Sequence, residues 1–289
     1  MPDFLVTGAT GTVGSALVRL LSARGATVRT MSRHPERGDR LPGVEPYAAD
    51  LNDPEAVRRA LSGVRRVFLL TGGPDGPRQD HLVAEAAAAL GIGHLVKLSV
   101  LGIDEGADDP FTRWHREGEE AVVRSGVRCA FVRPGAFMSN ALHWTASIAA
   151  AGAVSVPFAD LPVAPVDPVD IAAVAYHLLV GPGPTGAGYP VTGPEAISPR
   201  RQIAVLAELL DRPIGVTVQT PEQSRDQMVA YGLDERLADA TIAAMGSPLH
   251  GRGQTPLPTV EQITGLPPRT FRDWAAANLT AFTAQATSW

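Results

Sequence analysis

The chain has one cysteine, one lysine and few aromatics, 6% of its 289 residues, and each shortage excludes something. A lone cysteine, Cys129, can form no internal disulfide, so a reducing compartment fits and Cys129 reads as core filler. Lys97 stands alone against abundant arginine, which points to GC-rich coding and says little about chemistry. Long apolar runs are missing too. The Ala-rich stretches are broken by Glu85, His94, Lys97 or Pro157 before they reach the roughly 20 residues of a membrane helix. There is no surplus of positive charge, since 25 Lys and Arg face 30 Asp and Glu for a net charge of −5. That sign disfavours nucleic acid or an anionic membrane as a partner. The first strand starts at Phe4, too early for the charged and apolar segments of a secretion signal, so a cytoplasmic protein is expected. No metal site is expected.

What is present is a large apolar fraction, 45%, enough to bury one big core or a large and a small one that share a boundary. Short apolar runs at 4–8, 27–32, 44–50, 66–71, 94–100 and 128–133 alternate with helical patterns. Such alternation predicts an α/β fold, a Rossmann-type doubly wound parallel sheet with strand order 3-2-1-4-5-6. Val13, Ala16, Leu17, Leu20 and Leu21 form one apolar stripe on the first helix, and Gly25 closes it. Asp53 before Pro54, and Asp109 before Pro110, each supply a capping oxygen and a first-turn proline. Farther on, a helix is expected near 170–180, a Gly/Pro connector at 181–188, a strand at 189–192 and then mainly helices. The expected division is a nucleotide-binding domain at 1–135, with 162–192 returning to it. Residues 136–161 and 193–289 form a smaller, mainly helical substrate-binding region. Segment 247–258, SPLHGRGQTPLP, reads as a lid loop.

Gly8, Gly11 and Gly14 lie between an apolar strand and an amphipathic helix, with Thr10, Thr12 and Val13 interleaved. In that context the glycines make a turn whose backbone N–H groups, with the helix N-terminus, cradle a dinucleotide pyrophosphate. An NAD site usually places a carboxylate on the ribose about 20 residues later. Here the second strand ends Met31, Ser32, Arg33, His34. With no carboxylate to repel a 2′-phosphate, Arg33 offers a planar fork to it, assisted by Ser32 and Arg37, so NADPH is the expected cofactor. Ligands of such sheets sit beyond the C-terminal strand ends. Asp50 is placed to accept from the adenine amino group while Leu51 packs on the ring, Asp50's alternative being to cap the next helix. Thr71 and Gly72 pass beside the nicotinamide ribose.

The stretches GATGTVG, SVLG, HREGE, VRPGAFMSN, DPVDIA, YPVTGPEAIS and TGLPPRTFRDW resemble the NmrA-like, atypical branch of the short-chain dehydrogenase/reductase superfamily, over nearly the whole chain. The resemblance implies NAD(P)H-dependent reduction of quinones, azo dyes, triphenylmethane dyes or some ketones, or NADP sensing without catalysis. Most active members of the superfamily pair a Tyr with a Lys four residues later. Tyr47, Tyr176, Tyr189 and Tyr231 are followed at that spacing by Leu51, Val180, Gly193 and Glu235, so the pair is absent. The corresponding helix has His115 and Glu119 on one face, with Gly118 beside them, whose cost in a helix implies a close approach to the sheet or the cofactor. Two residues are read as catalytic. Ser99 hydrogen-bonds the substrate oxygen, or else satisfies local backbone. His115 supplies a proton near neutral pH, or else is a half-buried histidine paired with Glu119. Pro134, Gly135, Ala136 and Phe137 are expected over the nicotinamide. Met138, Asn140, His143 and Trp144 begin a substrate wall, and Met228, Tyr231, Met245 and His250 form its far side, although Met and Trp serve plain core packing equally well. The expectation is an NADPH-dependent reductase of a quinone or ketone carbonyl on an aromatic, polyketide-like small molecule, a step suited to natural-product tailoring, in a monomer or homodimer. The alternative is a non-catalytic NADP(H) sensor that binds another protein.

Overall fold

The computed structural model describes residues 2–183, 185–247 and 252–283. It begins with β1 (Phe4–Thr7), every residue of it buried, and α1 (Thr12–Ala23), which turns Val13, Ala16, Leu17, Val18 and Leu21 inward. Then come β2 (Val28–Ser32), β3 (Val44–Ala48), α2 (Pro54–Leu61), β4 (Arg66–Leu69), α3 (Gly76–Ala89), β5 (His94–Leu98), α4 (Pro110–Arg124) and β6 (Cys129–Pro134). The caps act as the sequence indicates: Asp53 accepts from the N–H groups of Glu55 and Ala56 at the start of α2, and Asp109 from that of Thr112 at the start of α4. The chain continues through α5 (Thr145–Ala151), β7 (Ala153–Val156), α6 (Pro168–Val180), β8 (Ala187–Val191), α7 (Pro199–Leu209) and β9 (Gly215–Val218). It ends in α8 (Pro221–Ala230), α9 (Glu235–Met245), α10 (Thr259–Thr264), α11 (Phe271–Ala277) and α12 (Leu279–Thr283).

Two compact units result. The first comprises Met1–Pro134, Pro168–Val191 and Thr259–Leu266, and the second Gly135–Asp167, Thr192–Pro258 and Pro267–Trp289. In the first unit, seven parallel strands run in the order β3-β2-β1-β4-β5-β6-β8. This is the expected doubly wound order with β8 added beside β6. Leu5, Val67, Leu95 and Cys129 are in register across four strands, and with Leu69 and Phe131 they pack against Val57, Val83 and Val122 of the flanking helices. Side chains alternate along a strand, so the same face carries Thr71 two residues past Leu69, Lys97 and Ser99 past Leu95, and Arg133 past Phe131. An apolar floor thus gives way to a buried polar layer at the C-terminal strand ends.

In the second unit, β7 and β9 form a parallel pair, Ala153 to Val156 against Gly215 to Val218. Neither strand is in the sequence reading, since AVSV and GVTV form no bulky apolar run. Its core gathers Met138, Ile148, Val154, Leu206, Phe271 and Trp274. Residues 252–258 of the expected lid loop are tied down: Gly253 accepts from the Ala164 N–H at 2.7 Å, and the Thr192 hydroxyl accepts from the Leu257 N–H at 2.7 Å. Residues 248–251, near the start of the loop, lie outside the described residues. No helix among the described residues is long and apolar enough to cross a membrane.

Candidate active site

The glycine turn is built for a ligand that approaches its backbone. Gly8 takes φ +61°, a left-handed conformation open to glycine, and its carbonyl accepts from the Gly11 N–H at 3.0 Å. A Cβ on Gly14 would lie 2.2 Å from that carbonyl oxygen, so only glycine lets the helix start this close to the turn. Thr10, Gly11 and Thr12 are exposed while Val13 and Gly14 are buried, and no side chain caps α1. The N-terminal N–H groups therefore have no competing side-chain acceptor, as a pyrophosphate cradle requires.

Between this turn and the end of β2, Thr10, Ser15, Thr30, Ser32, Pro35 and Asp39 line a groove. The Ser32 hydroxyl accepts from the His34 N–H at 3.1 Å and so shapes the turn into Arg33. Arg33 and Arg37 are exposed, and neither guanidinium has an ion-pair partner among the described residues. Asp39, a carboxylate the sequence reading passed over, is paired with Arg19 at 2.6 Å, which offsets its repulsion of a phosphate. β3 ends at Ala48 and not at Asp50. The Asp50 carboxylate accepts from the Asn52 N–H at 2.9 Å in a local turn, and the helix cap is Asp53. Leu51 is half-buried against the core.

The polar layer holds what the sequence reading missed. Lys97 is fully buried, and its Nζ lies 2.8 Å from Asp80 Oδ2 and donates to Thr71 Oγ1 at 3.1 Å. Thr71 Oγ1 in turn donates to Asp80 Oδ1 at 2.8 Å, closing a three-membered ring. The hydroxyl of Thr71 thus faces inward, while Gly72 beside it is exposed. Burial pushes the Asp80 carboxyl up, against the pull of Lys97 and Thr71. The close approach expected at Gly118 is to this ring, since a Cβ there would lie 2.0 Å from Asp80 Oδ2 and 3.1 Å from Lys97 Cε. The one signal in the sequence was a charge inside the apolar run HLVKLSV, and reading the sole lysine as coding bias hid it.

Ser99 follows β5 directly. It is 4% exposed, its N–H donates to the Val132 carbonyl at 2.7 Å, and its hydroxyl has no hydrogen-bond partner among the described residues. A buried hydroxyl left unsatisfied is costly, so the local-backbone role considered for it does not hold. His115 is half-buried on its helix, as its second reading had it, but lacks the expected partner. Glu119 does not pair with it, because Arg133 takes that carboxylate through Nε at 2.9 Å and Nη2 at 2.5 Å, and also holds Asp104 at 2.6 Å. Half-buried and stacked on Phe111, His115 has its pKa lowered to about 3 by desolvation and by the charge of Lys97. At neutral pH it is a neutral imidazole and a poor proton donor.

The substrate wall fares unevenly. Met138 is fully buried in the core of the second unit, so it is packing and not wall. Trp144 lies half-buried against the same core, while Asn140 and His143 are exposed. Tyr231 is 84% exposed, because α8 before it buries only Ser224 and offers no apolar face to pack on. Met228 is half-buried and Met245 is at the margin of exposure; His250 lies outside the described residues. Pro134 ends β6, buried, with its carbonyl accepting from the Leu101 N–H at 2.9 Å. Gly135, Ala136 and Phe137 follow into the second unit, where Phe137 bridges to Val166. No group of three or more metal-ligating side chains occurs among the described residues.

A family model described as NAD(P)H-binding matches residues 8–179, from the first glycine of the turn to the end of α6. The chain belongs to this NAD(P)H-binding family. It is 44% identical to a (4-alkanoyl-5-oxo-2,5-dihydrofuran-3-yl)methyl phosphate reductase of Streptomyces griseus, over 96% of this chain and 98% of that one. Against an NAD(P)H azoreductase of Xenophilus azovorans the identity is 36%, with the same coverage. In structure it is similar to an NADPH-dependent quinone oxidoreductase of Escherichia coli solved with NADPH, with TM-score 0.81 and 23% identity over 96% of this chain and 99% of that chain. These findings agree with the NmrA-like resemblance, and the protein is an NAD(P)H-dependent oxidoreductase.

Proposed function

We propose that the protein uses NADPH to reduce a quinone, a ketone or a comparably conjugated acceptor on a small, flat organic molecule. The observation that carries this reading is Ser99, a buried hydroxyl without a partner at the end of β5, in the unit that also contains the glycine turn. When bound, the cofactor supplies hydride. The turn and the N-terminus of α1 hold its pyrophosphate, and Arg33 and Arg37 favour the 2′-phosphate. Ser99 donates to the substrate oxygen on which negative charge settles. His115 borders the site as a neutral ring.

With no tyrosine acid and no imidazolium, little at that oxygen can deliver a proton. The acceptors that suit such a site delocalise their own charge, as a hydroquinone anion does, and take the last proton from water. The relatives' names support this reading, since an azo dye and an unsaturated lactone bearing an acyl group are acceptors of that kind. The second unit, through Asn140, His143, Trp144, Met228 and Met245, is read as the source of substrate selectivity. Purified protein with NADPH should oxidise the cofactor when offered at least one member of a panel of quinones, polycyclic ketones, an azo dye and an alkanoyl butenolide methyl phosphate. Tight NADPH binding with no acceptor-dependent oxidation across the panel would sink the reading.

A further inference from the structure

A buried ion pair contributes little to stability compared with apolar side chains of the same volume, so a fold that keeps one calls for another reason. Here the pair is fully buried, Thr71 Oγ1 bridges both partners, and α4 gives up a Cβ at Gly118 to make room for it. Lys97 precedes Ser99 by two residues on β5, so the two side chains leave the same face of the strand, with Cα atoms about 6.6 Å apart. The elements around α4 bring other charges, but these are committed elsewhere. Arg133 on β6 is locked to Glu119 and Asp104, and Arg116 donates to the Ala107 carbonyl.

We propose that Lys97 is the positioning residue of the reductase site: held by Asp80 and Thr71, its ammonium is the fixed positive charge beneath Ser99 that stabilises the negative charge arriving on the oxygen Ser99 binds. The proposal rests on the reading of Ser99 above. The charge needs no direct contact with substrate, because it acts through the Ser99 hydroxyl and through a poorly screened interior. The charge of Lys97 also adds to desolvation in lowering the His115 pKa, which makes that ring a reporter of the field independent of turnover.

The test compares wild type with the Lys97→Met, Asp80→Asn double variant, which removes both charges at nearly constant volume and leaves neither buried alone. Lys97→Gln combined with Asp80→Asn, which keeps hydrogen-bonding groups around Thr71 without charge, is the second variant in case the first folds poorly. The imidazole of His115 is titrated by NMR, and NADPH oxidation is followed with the best acceptor of the panel. The expected result is a His115 midpoint raised by at least about half a pH unit. It comes with kcat lowered roughly 10- to 100-fold and an unchanged KM for NADPH. An unmoved His115 titration overturns the proposal, as does an unchanged kcat or a KM for NADPH that rises in step with the loss of kcat. If wild type turns over nothing, the reading of Ser99 fails separately, and the titration alone decides for or against the field of Lys97.

Discussion

At the scale of single residues, Ser99 sets function against stability. Its unpaired hydroxyl is a standing cost of about 1–3 kcal/mol, tolerable when a ligand supplies the partner. Ser99→Ala should therefore lower kcat about 100-fold, the order seen when one donor to a developing oxyanion is removed. The same change should leave the melting temperature equal to or higher than that of wild type, measured by calorimetry. A serine kept for packing or backbone satisfaction would show the reverse, a lower melting temperature with kcat intact. Arg33 makes a second separable prediction. Its guanidinium is exposed and has no ion-pair partner among the described residues, so Arg33→Ala should cost the fold almost nothing and weaken NADPH binding by about 1.5–3 kcal/mol, the worth of a charge-assisted contact. Fluorescence titration should then find NADH binding little changed, whereas equal losses for both cofactors would remove the phosphate role.

At the scale of elements, α4 shows why some of this protein was legible in its sequence and some was not. Strand and helix order could be read from periodicity because each element buries one face against a neighbour in a simple repeat, and Asp53 and Asp109 announce their helices by local hydrogen bonds that need no tertiary partner. Gly118 could be flagged as costly, but its reason lies 38 residues away in Asp80 and 21 away in Lys97, and no local pattern connects them. His115 and Glu119 have helical pairing spacing, yet a guanidinium from β6 outbids the imidazole for the carboxylate because it makes two charged hydrogen bonds at once. The short β7 and β9, AVSV and GVTV, escaped because small and polar residues interrupt them, whereas the equally short β1 and β4 stand out as bulky apolar runs. Gly118→Ala tests the element directly. Helix propensity alone favours alanine by about 1 kcal/mol, but the added methyl would overlap the Asp80 carboxylate, and overpacking costs about 1–3 kcal/mol. Denaturant unfolding should show net destabilisation, with a smaller loss when Gly118→Ala is made in an Asp80→Ala, Lys97→Met background, which removes the clashing carboxylate without leaving Lys97 buried alone. A stabilised single variant would mean that α4 can shift away from the ring.

At the scale of the whole molecule, the buried groups should make stability depend on pH in a definite direction. Folding holds His115 at a pKa of about 3, against about 6.5 in an unfolded chain, because burial and Lys97 disfavour the imidazolium. Between those two values the unfolded state binds more protons than the native state, so stability rises with pH there and falls on acidification. Above pH 6.5 the histidine contributes no slope. Below it, His115 costs the native state about 1.4 kcal/mol for each pH unit, or roughly 2 kcal/mol between pH 6.5 and pH 5. His94, buried near Arg128 and Arg66, is also lowered and adds to the slope in the same direction. Asp80, raised by burial, works in the opposite sense: the native state keeps its proton at pH values where the unfolded chain has lost it, which offsets the histidines at the acid end. Denaturant unfolding at a series of pH values should thus show a plateau near neutrality and a fall beginning close to pH 6.5. His115→Phe, which preserves the stack on Phe111, should flatten that fall by about 1.4 kcal/mol per unit. An unchanged slope in this variant would mean that His115 titrates normally in the folded protein. The imidazolium would then be available near neutral pH, and His115 would return as the proton donor that the site otherwise lacks.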